Sequence, residues 1–219
     1  MPSRLIHYLI AEKVAGKIKI NDMNRFRLGS ICPDMSTRSD GSKKLTHFAE
    51  EHGDVKGGNW MTFLSKYGDR IEGDDLYLGI LCHLVTDTIW FHDIIHSHIR
   101  VKTESPEERK AMCNIGYADF HRLNYILKNE FDLKYELTED RNMDFEGLHL
   151  EYYDDLVGGL FKDICEEPKA SKDELEIYTY DISIACILSC IDECVNVIKA
   201  LRDGGDIPSP EKYYVPIMK

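Results

Sequence analysis

The sequence predicts an all-α protein, folded as a single-domain multi-helix bundle of 219 residues. Apolar residues recur at intervals of three and four along most of the chain, and no segment alternates apolar and polar residues as a half-buried strand does. The length is sufficient for one large hydrophobic core. We therefore expect a helical, metal-binding domain over residues 1–203 and an extended tail over residues 204–219, where three prolines oppose helix formation.

Apolar spacing and capping residues divide this domain into helices. Ser3 and Ser105-Pro106 are typical helix starts, because serine accepts a hydrogen bond from a free backbone amide and proline fixes the first helical residue. Ser171-Lys-Asp-Glu resembles a capping box and predicts the start of the last long helix. The predicted elements, in order, are a helix over 3–18, a loop containing Gly29 and residues 32–42, short helices from about Leu45 and Asn59, and helices over 74–101, 105–131, 148–164 and from about 171 to Gly204-Gly205.

Composition limits the function classes that are open. The net charge of -12, without a Lys/Arg run, argues against binding of a nucleic-acid duplex, although a metal ion can still attract a phosphate ester locally. The longest charge-free apolar stretches, 76–86 and 182–191, are too short to span a membrane. Seven cysteines without a Cys-x-x-Cys pair, and no recognisable signal peptide, lead us to expect a reducing, cytoplasmic location.

The most informative pair is His83 and Asp87, which are four residues apart inside the apolar run 76–91. Helical residues at this spacing lie about 40° apart around the axis and about 6 Å along it, so both face the core. A buried imidazole and a buried carboxylate each need compensation. Either a hydrogen bond between them or a divalent metal ion supplies it, and the pair alone leaves both interpretations open.

Three further residues complete a candidate metal-binding set. Taken singly, His7 is most simply a core histidine, Asp34 a turn residue or helix cap, and His47 a surface histidine at the beginning of a short helix. With His83 and Asp87 they make three histidines and two aspartates. This composition suits zinc, and one carboxylate could bridge two ions.

The same residues lie in motifs that resemble the zinc-dependent phospholipase C family, which is related to the P1/S1-type nucleases. The motifs extend from the N-terminus to about residue 91, with weaker similarity beyond. They are His7, Leu28-Gly-Ser-Ile-Cys-Pro-Asp34, Thr46-His47-Phe48 and Gly79-Ile-Leu-Cys-His83-Leu-Val-Thr-Asp87. The resemblance implies the all-α bundle of that family and hydrolysis of a phosphoester.

The resemblance also implies a ligand set. One zinc ion would be held by Asp34, His47, His83 and Asp87. Asp87 would bridge to a second ion, also bound by His7. In relatives the amine and carbonyl of an N-terminal Trp complete that second site. Here the corresponding residue is Met1, or Pro2 if Met1 is removed.

A third zinc ion of the family is held by a His soon after the bridging Asp and by a later His-x-x-x-Glu/Asp pair. Asp93 stands at the first of these positions, and no such pair follows Asp87. We therefore expect two zinc ions, with the third site lost or altered. Asp93 and Asp119 are the candidate replacement ligands.

The expected chemistry is attack of a zinc-bound hydroxide on phosphorus, with Asp34 and Asp87 as the catalytic residues of the chain. The zinc ions would also neutralise charge on the phosphoryl oxygens. The expected substrate is a small-molecule or lipid phosphoester. Arg38, Lys43 and Lys44 lie between two of the ligands in sequence, where they could contact either a phosphate or solvent.

Two alternatives remain from the sequence. An HD-type phosphohydrolase would use His83, the dipeptide His92-Asp93 and Asp119, but this leaves His7, Asp34 and His47 unexplained. A helical protein with a structural or vestigial metal site would need no catalysis. The absence of the third-zinc pattern and of the N-terminal Trp motivates this second alternative.

Overall fold

A computed structural model describes residues 2–217 of the protein. Helices account for 66% of the chain, which confirms the all-α prediction. Within the described residues the α-helices are α1 (Arg4–Ala15), α2 (Met23–Ile31), α3 (Ser42–His47), α4 (Trp60–Ile71), α5 (Asp75–Trp90), α6 (Pro106–Glu130), α7 (Tyr153–Cys165) and α8 (Tyr180–Asp203).

Helix α5 is the centre of the fold, and all of its residues are buried. It begins after Asp74, whose side chain accepts a hydrogen bond from the backbone amide of Leu76. Helices α1, α2, α4 and α8 pack around it. Any polar side chain on α5 is therefore held inside the protein, away from bulk water.

One segment, residues 75–102, is long and apolar enough to cross a membrane by composition alone. However, 78% of its most apolar part is buried inside the protein. A core helix of this kind passes the same test, so the segment is weak evidence for a membrane span.

The apolar spacing predicts one helix to about residue 101, but the central helix is not regular that far. After Trp90 it changes to a π-helix, Phe91–Ile99, and then to a 3-10 turn, Arg100–Lys102. A π-helix has more residues per turn, which changes the direction of each following side chain. The directions in which the histidine side chains of this segment point therefore do not follow from α-helical spacing.

The prediction of a loop around Gly29 is wrong, because residues Met23–Ile31 form α2. Asp22 caps this helix by accepting a hydrogen bond from the backbone amide of Arg25. Arginine, glycine and serine interrupt the apolar spacing, so periodicity gives little signal. Packing against α5 stabilises the helix instead: the two backbones meet at Gly29 and Gly79, where neither position has room for a β-carbon.

The capping box is present but does not begin the last long helix. Ser171 and Glu174 enclose a single 3-10 turn, Lys172–Glu174, in which the Ser171 backbone amide donates to the Glu174 carboxylate at 2.6 Å. Helix α8 begins at Tyr180. The capping box therefore lies at a short turn within the loop that precedes α8, and the predicted helix start at residue 171 is wrong.

A small antiparallel sheet is the one departure from the all-α prediction in the described residues. It consists of β1 (Ala49–His52), β2 (Val55–Gly58) and β3 (Val215–Pro216), in the order β1-β2-β3. Ala49 pairs with Gly58, and Lys56 pairs with Val215. The predicted extended tail therefore supplies a strand, after a 3-10 turn at Pro210–Tyr213.

The close contact between α2 and α5 gives a first prediction. A β-carbon at Gly79 would lie 2.2 Å from the carbonyl oxygen of Phe26, so Gly79→Ala must push the two helices apart. We expect it to lower the free energy of unfolding by about 1–3 kcal/mol, measured by urea denaturation. Gly68→Ala in α4 is the control, because that glycine faces open space. Equal effects of the two substitutions would contradict this packing argument.

Candidate metal centre

All five predicted ligands meet at one place near the middle of the molecule. His7 comes from α1, Asp34 from the turn after α2, His47 from the end of α3, and His83 and Asp87 from α5. Their nitrogen and oxygen atoms form two groups that share His83, and within each group these atoms lie within 4.8 Å of one another. One group consists of His7, His83 and Asp87, and the other consists of Asp34, His47 and His83.

The carboxylate of Asp87 lies between the three histidines. Its Oδ1 is 3.3 Å from Nε2 of His7, and its Oδ2 is 3.4 Å from Nε2 of His47 and 3.6 Å from Nε2 of His83. The side chain is 8% exposed, and neither oxygen has a hydrogen-bond partner among the described residues. The two oxygens therefore face different histidines, as a carboxylate that bridges two cations does.

The backbone fixes the tautomer of His83. Its Nδ1 lies 2.9 Å from the carbonyl oxygen of Ser30. Because a carbonyl can only accept, Nδ1 carries the proton and donates it, which leaves Nε2 directed at the cluster. A histidine that binds a metal through one ring nitrogen usually donates the proton of the other nitrogen to a carbonyl or carboxylate in this way.

A chain of hydrogen bonds fixes His47 in the same way. The Ser36 hydroxyl donates to the carbonyl oxygen of Pro33, and the Thr46 hydroxyl donates to Ser36 Oγ. Thr46 Oγ1 then accepts from Nδ1 of His47, at 2.8 Å. The Nε2 of His47 is thus left without a proton and faces the cluster.

This arrangement requires a positive charge in the cluster. The Nε2 atoms of His83 and His47 are only 3.3 Å apart, and the Nδ1 proton of each ring is already donated elsewhere. Two lone pairs at that distance repel each other unless a proton or a metal ion lies between them. Three imidazoles and two carboxylates are a donor set that zinc binds readily, so the residues present fit that ion.

Protonation states agree with this interpretation. Burial lowers the pKa of His7 to about 4, with His83 acting in the same direction, and burial also lowers the pKa of His47. Both rings are neutral at pH 7, the form that binds metal. Burial would raise the pKa of Asp87, but His83 and His7 hold it well below its usual range. Burial opposes a charge on His83, yet Asp87 raises its pKa, so the surroundings favour a cation there.

An unusual backbone conformation presents His47 to the cluster. His47 ends α3, whereas the sequence predicted that it begins a helix, because residues 42–46 themselves form the helical turn. Phe48 follows with φ 46°, a left-handed conformation that is rare for a residue other than glycine. Its ring packs against Phe63 and Tyr67, which stabilises this strained turn into β1.

Asp93 and Asp119 belong to neither group of candidate ligands. Asp93 pairs with its neighbour His92, at 2.6 Å, on the half-exposed π-helix. Asp119 is fully buried and accepts hydrogen bonds from the backbone amides of residues 176–178 and from Arg122. The geometry thus gives no support to a replacement third zinc site, and Met1 lies outside the described residues.

A cleft of about 860 Å³ opens at His47 and Asp87. Arg38, Lys43 and Lys44, for which the sequence left phosphate contact and solvent exposure open, line it, and Lys43 pairs with Asp34 at 3.1 Å. The other basic side chains of the lining are Lys56, Arg109 and Lys110, and its apolar wall consists of Phe91, Ile95, Tyr117, Phe120 and Tyr178.

Sequence reasoning missed the far wall of this cleft. Phe91 ends the apolar run 76–91, a pattern typical of core residues, but it lines the cleft together with Asp87. Arg109 and Tyr178 had no local signal, because only the packing of distant segments brings them towards the metal centre. The sequence also does not show that His83 donates to the carbonyl of Ser30 or that His47 donates to the hydroxyl of Thr46, because both hydrogen bonds form only in the folded protein.

The fold is all-α, and buried histidines and aspartates lie where a basic cleft opens. These features define a helical protein with a metal centre suited to phosphate chemistry. The family model for zinc dependent phospholipase C matches residues 6–193, most of the chain. The protein belongs to the zinc-dependent phospholipase C family, which confirms the resemblance and supports a zinc-dependent phosphoesterase. Neither the curated proteins nor the solved structures gave a significant match.

The placement of Asp119 gives a second prediction. Asp119→Ala leaves three backbone amides and Arg122 without their buried acceptor, so we expect the free energy of unfolding to fall by about 3 kcal/mol. Zinc content per chain should stay unchanged, as elemental analysis would show. Asp93→Ala is the matched control and should change neither quantity appreciably. Loss of zinc in Asp119→Ala without loss of stability would make Asp119 a ligand after all.

Proposed function

We propose that this protein hydrolyses phosphoesters by means of two zinc ions. The observation that carries the proposal is the carboxylate of Asp87, which is buried without a hydrogen bond and presents each oxygen to a different histidine. Such a group is costly to bury unless cations compensate it. The family to which the chain belongs supports zinc as that cation.

The distances suggest how the ligands are shared. His7 lies nearest Oδ1 of Asp87, whereas His47 and His83 lie nearest Oδ2. Asp34 Oδ1 is 3.4 Å from Nε2 of His47, on the same side. We therefore assign Asp34, His47 and His83 to one ion and His7 to the other, with Asp87 bridging them.

Zinc bound there would supply a nucleophile from water at neutral pH and neutralise the charge on the phosphoryl group. The chain's own residues prepare the site for that chemistry. The carbonyl of Ser30 and the hydroxyl of Thr46 orient the two imidazoles. The buried walls of α5 exclude water from the inner side, and the cleft admits a substrate from the outer side.

The cleft favours an anionic substrate with an apolar portion. Six Lys and Arg side chains line it beside Glu50, Glu51 and Asp87, so the lining carries a net positive charge in a protein whose net charge is -12. Aromatic rings, including Phe91 and Tyr178, form the opposite wall. A lipid or small-molecule phosphoester with an apolar group fits these two walls.

The HD-type alternative receives no geometric support from residues 2–217. His92 and Asp93 pair with each other, and neither is a member of the two ligand groups. A structural or vestigial metal site remains the other alternative. It differs from the proposal in one measurable way, because it holds metal without hydrolysing a phosphoester.

Metal content per chain tests the proposal. We expect two zinc ions in untagged protein by elemental analysis, a strong loss in His83→Ala because this variant removes a fully buried ligand next to the bridging Asp87, and about one ion in His7→Ala. The zinc-loaded parent should hydrolyse bis(4-nitrophenyl) phosphate, and His83→Ala should be slower by roughly a hundredfold or more, beyond the usual effect of losing an outer-shell partner.

His92→Ala is the matched control for these variants, since it removes a half-exposed histidine outside the ligand groups. It should keep both ions and full activity. One ion insensitive to His7 would reduce the proposal to a mononuclear site. No zinc after reconstitution, or two zinc ions without hydrolysis of any phosphodiester, would contradict it.

A further inference from the structure

Arg100 is a buried cation without an acidic partner. It is 6% exposed, its guanidinium lies 5.4 Å from the ring centre of Phe91, and its Nη1 is closed off from solvent. Nη1 has no hydrogen-bond partner, and Arg100 no carboxylate within 4.0 Å, in the part of the chain that the structure describes. Burying a guanidinium is costly unless an anion compensates it.

Arg109 extends this positive charge to the cleft. It lies in the second turn of α6, lines the cleft, and has a buried Nε without a described partner. The ring of Phe91 links it to Arg100, because Phe91 lines the same cleft and contacts the Arg100 guanidinium, and Arg109 acts with burial to lower the pKa of Arg100. His96 lies one turn before Arg100 and has a buried Nδ1 without a described partner.

Other arginines of the protein show that acidic partners are not scarce. The chain has 39 acidic residues and 27 basic ones. Six arginines each form an ion pair within 4.0 Å of a carboxylate, namely Arg4, Arg25, Arg27, Arg70, Arg122 and Arg141. Of the four described arginines without such a pair, Arg38 and Arg202 are exposed, whereas Arg100 is buried and Arg109 is half-buried, so these two are the unpaired arginines with restricted access to water.

We infer that Arg109, supported by the charge of Arg100, binds a second anionic group of the ligand, separate from the phosphoester at the metal centre. Arg109 lines the same cleft as His47, Asp87 and Phe91, and the ring of Phe91 also contacts the Arg100 guanidinium. Guanidinium groups bind phosphate and carboxylate oxygens in pairs, so the group is one of these two anions. That both anions belong to one substrate rests on the proposed function, whereas anion binding by Arg109 does not.

The substrate class follows from this second site. A ligand that fills both ends carries a phosphoester to be hydrolysed and, beyond an apolar portion, a further phosphate or carboxylate. A neutral or zwitterionic phosphoester would leave the guanidinium pair without compensation. We therefore expect preference for phosphoesters of higher negative charge.

Calorimetric titration with inorganic phosphate, at constant ionic strength, tests the anion site. The protein as purified and a chelator-treated sample are compared, so that binding at Arg109 is separated from binding at the metal centre. In both samples we expect Arg109→Gln to lower the affinity for phosphate at the anion site by roughly ten- to a hundredfold, the usual range for a hydrogen bond to a charged group. A parallel titration with acetate distinguishes a carboxylate site from a phosphate site.

Arg202→Gln is the matched control, because Arg202 is exposed at the end of α8 and forms no described ion pair. It removes the same charge and should leave anion binding unchanged. Equal weakening in both variants, unchanged binding in Arg109→Gln, or no binding of either anion would overturn the inference. Arg109-dependent binding in a protein that proves unable to hydrolyse phosphoesters would overturn only the proposed function.

Discussion

The buried carboxylate of Asp87 is the group on which the arrangement of the site depends. It lies on the fully buried helix α5, and none of the described residues donates a hydrogen bond to it. A negative charge in that position is tolerated only beside cations. The imidazoles of His7, His47 and His83 surround it at 3.3–3.6 Å, with nitrogen lone pairs that a metal ion can use.

Two local features of the fold bring the partners of Asp87 to it. The glycine contact between α2 and α5 allows the helices to approach closely, which places the carbonyl of Ser30 against His83. The left-handed residue Phe48 ends α3 and leaves His47 at the mouth of the cleft. Both features position histidine nitrogen atoms. The sequence alone shows that these histidines exist but not how they are arranged.

Helical spacing was enough to predict that His83 and Asp87 share one buried face, because both lie on a single helix. His7, Asp34 and His47 come from other elements, so their grouping depended on the family resemblance. Helix α2 and the small sheet were missed because tertiary packing, and not a periodic apolar pattern, stabilises them. The basic and aromatic wall of α6 was missed for a related reason, since it faces the metal centre only in the folded chain.

Crystals grown with zinc, and diffraction data collected on both sides of the zinc absorption edge, would show whether Asp87 bridges two zinc ions. We predict two anomalous peaks, one beside each oxygen of Asp87, with His7 next to one peak and Asp34 and His47 next to the other. A single peak at His92 and Asp93, or no peak near Asp87, would contradict it.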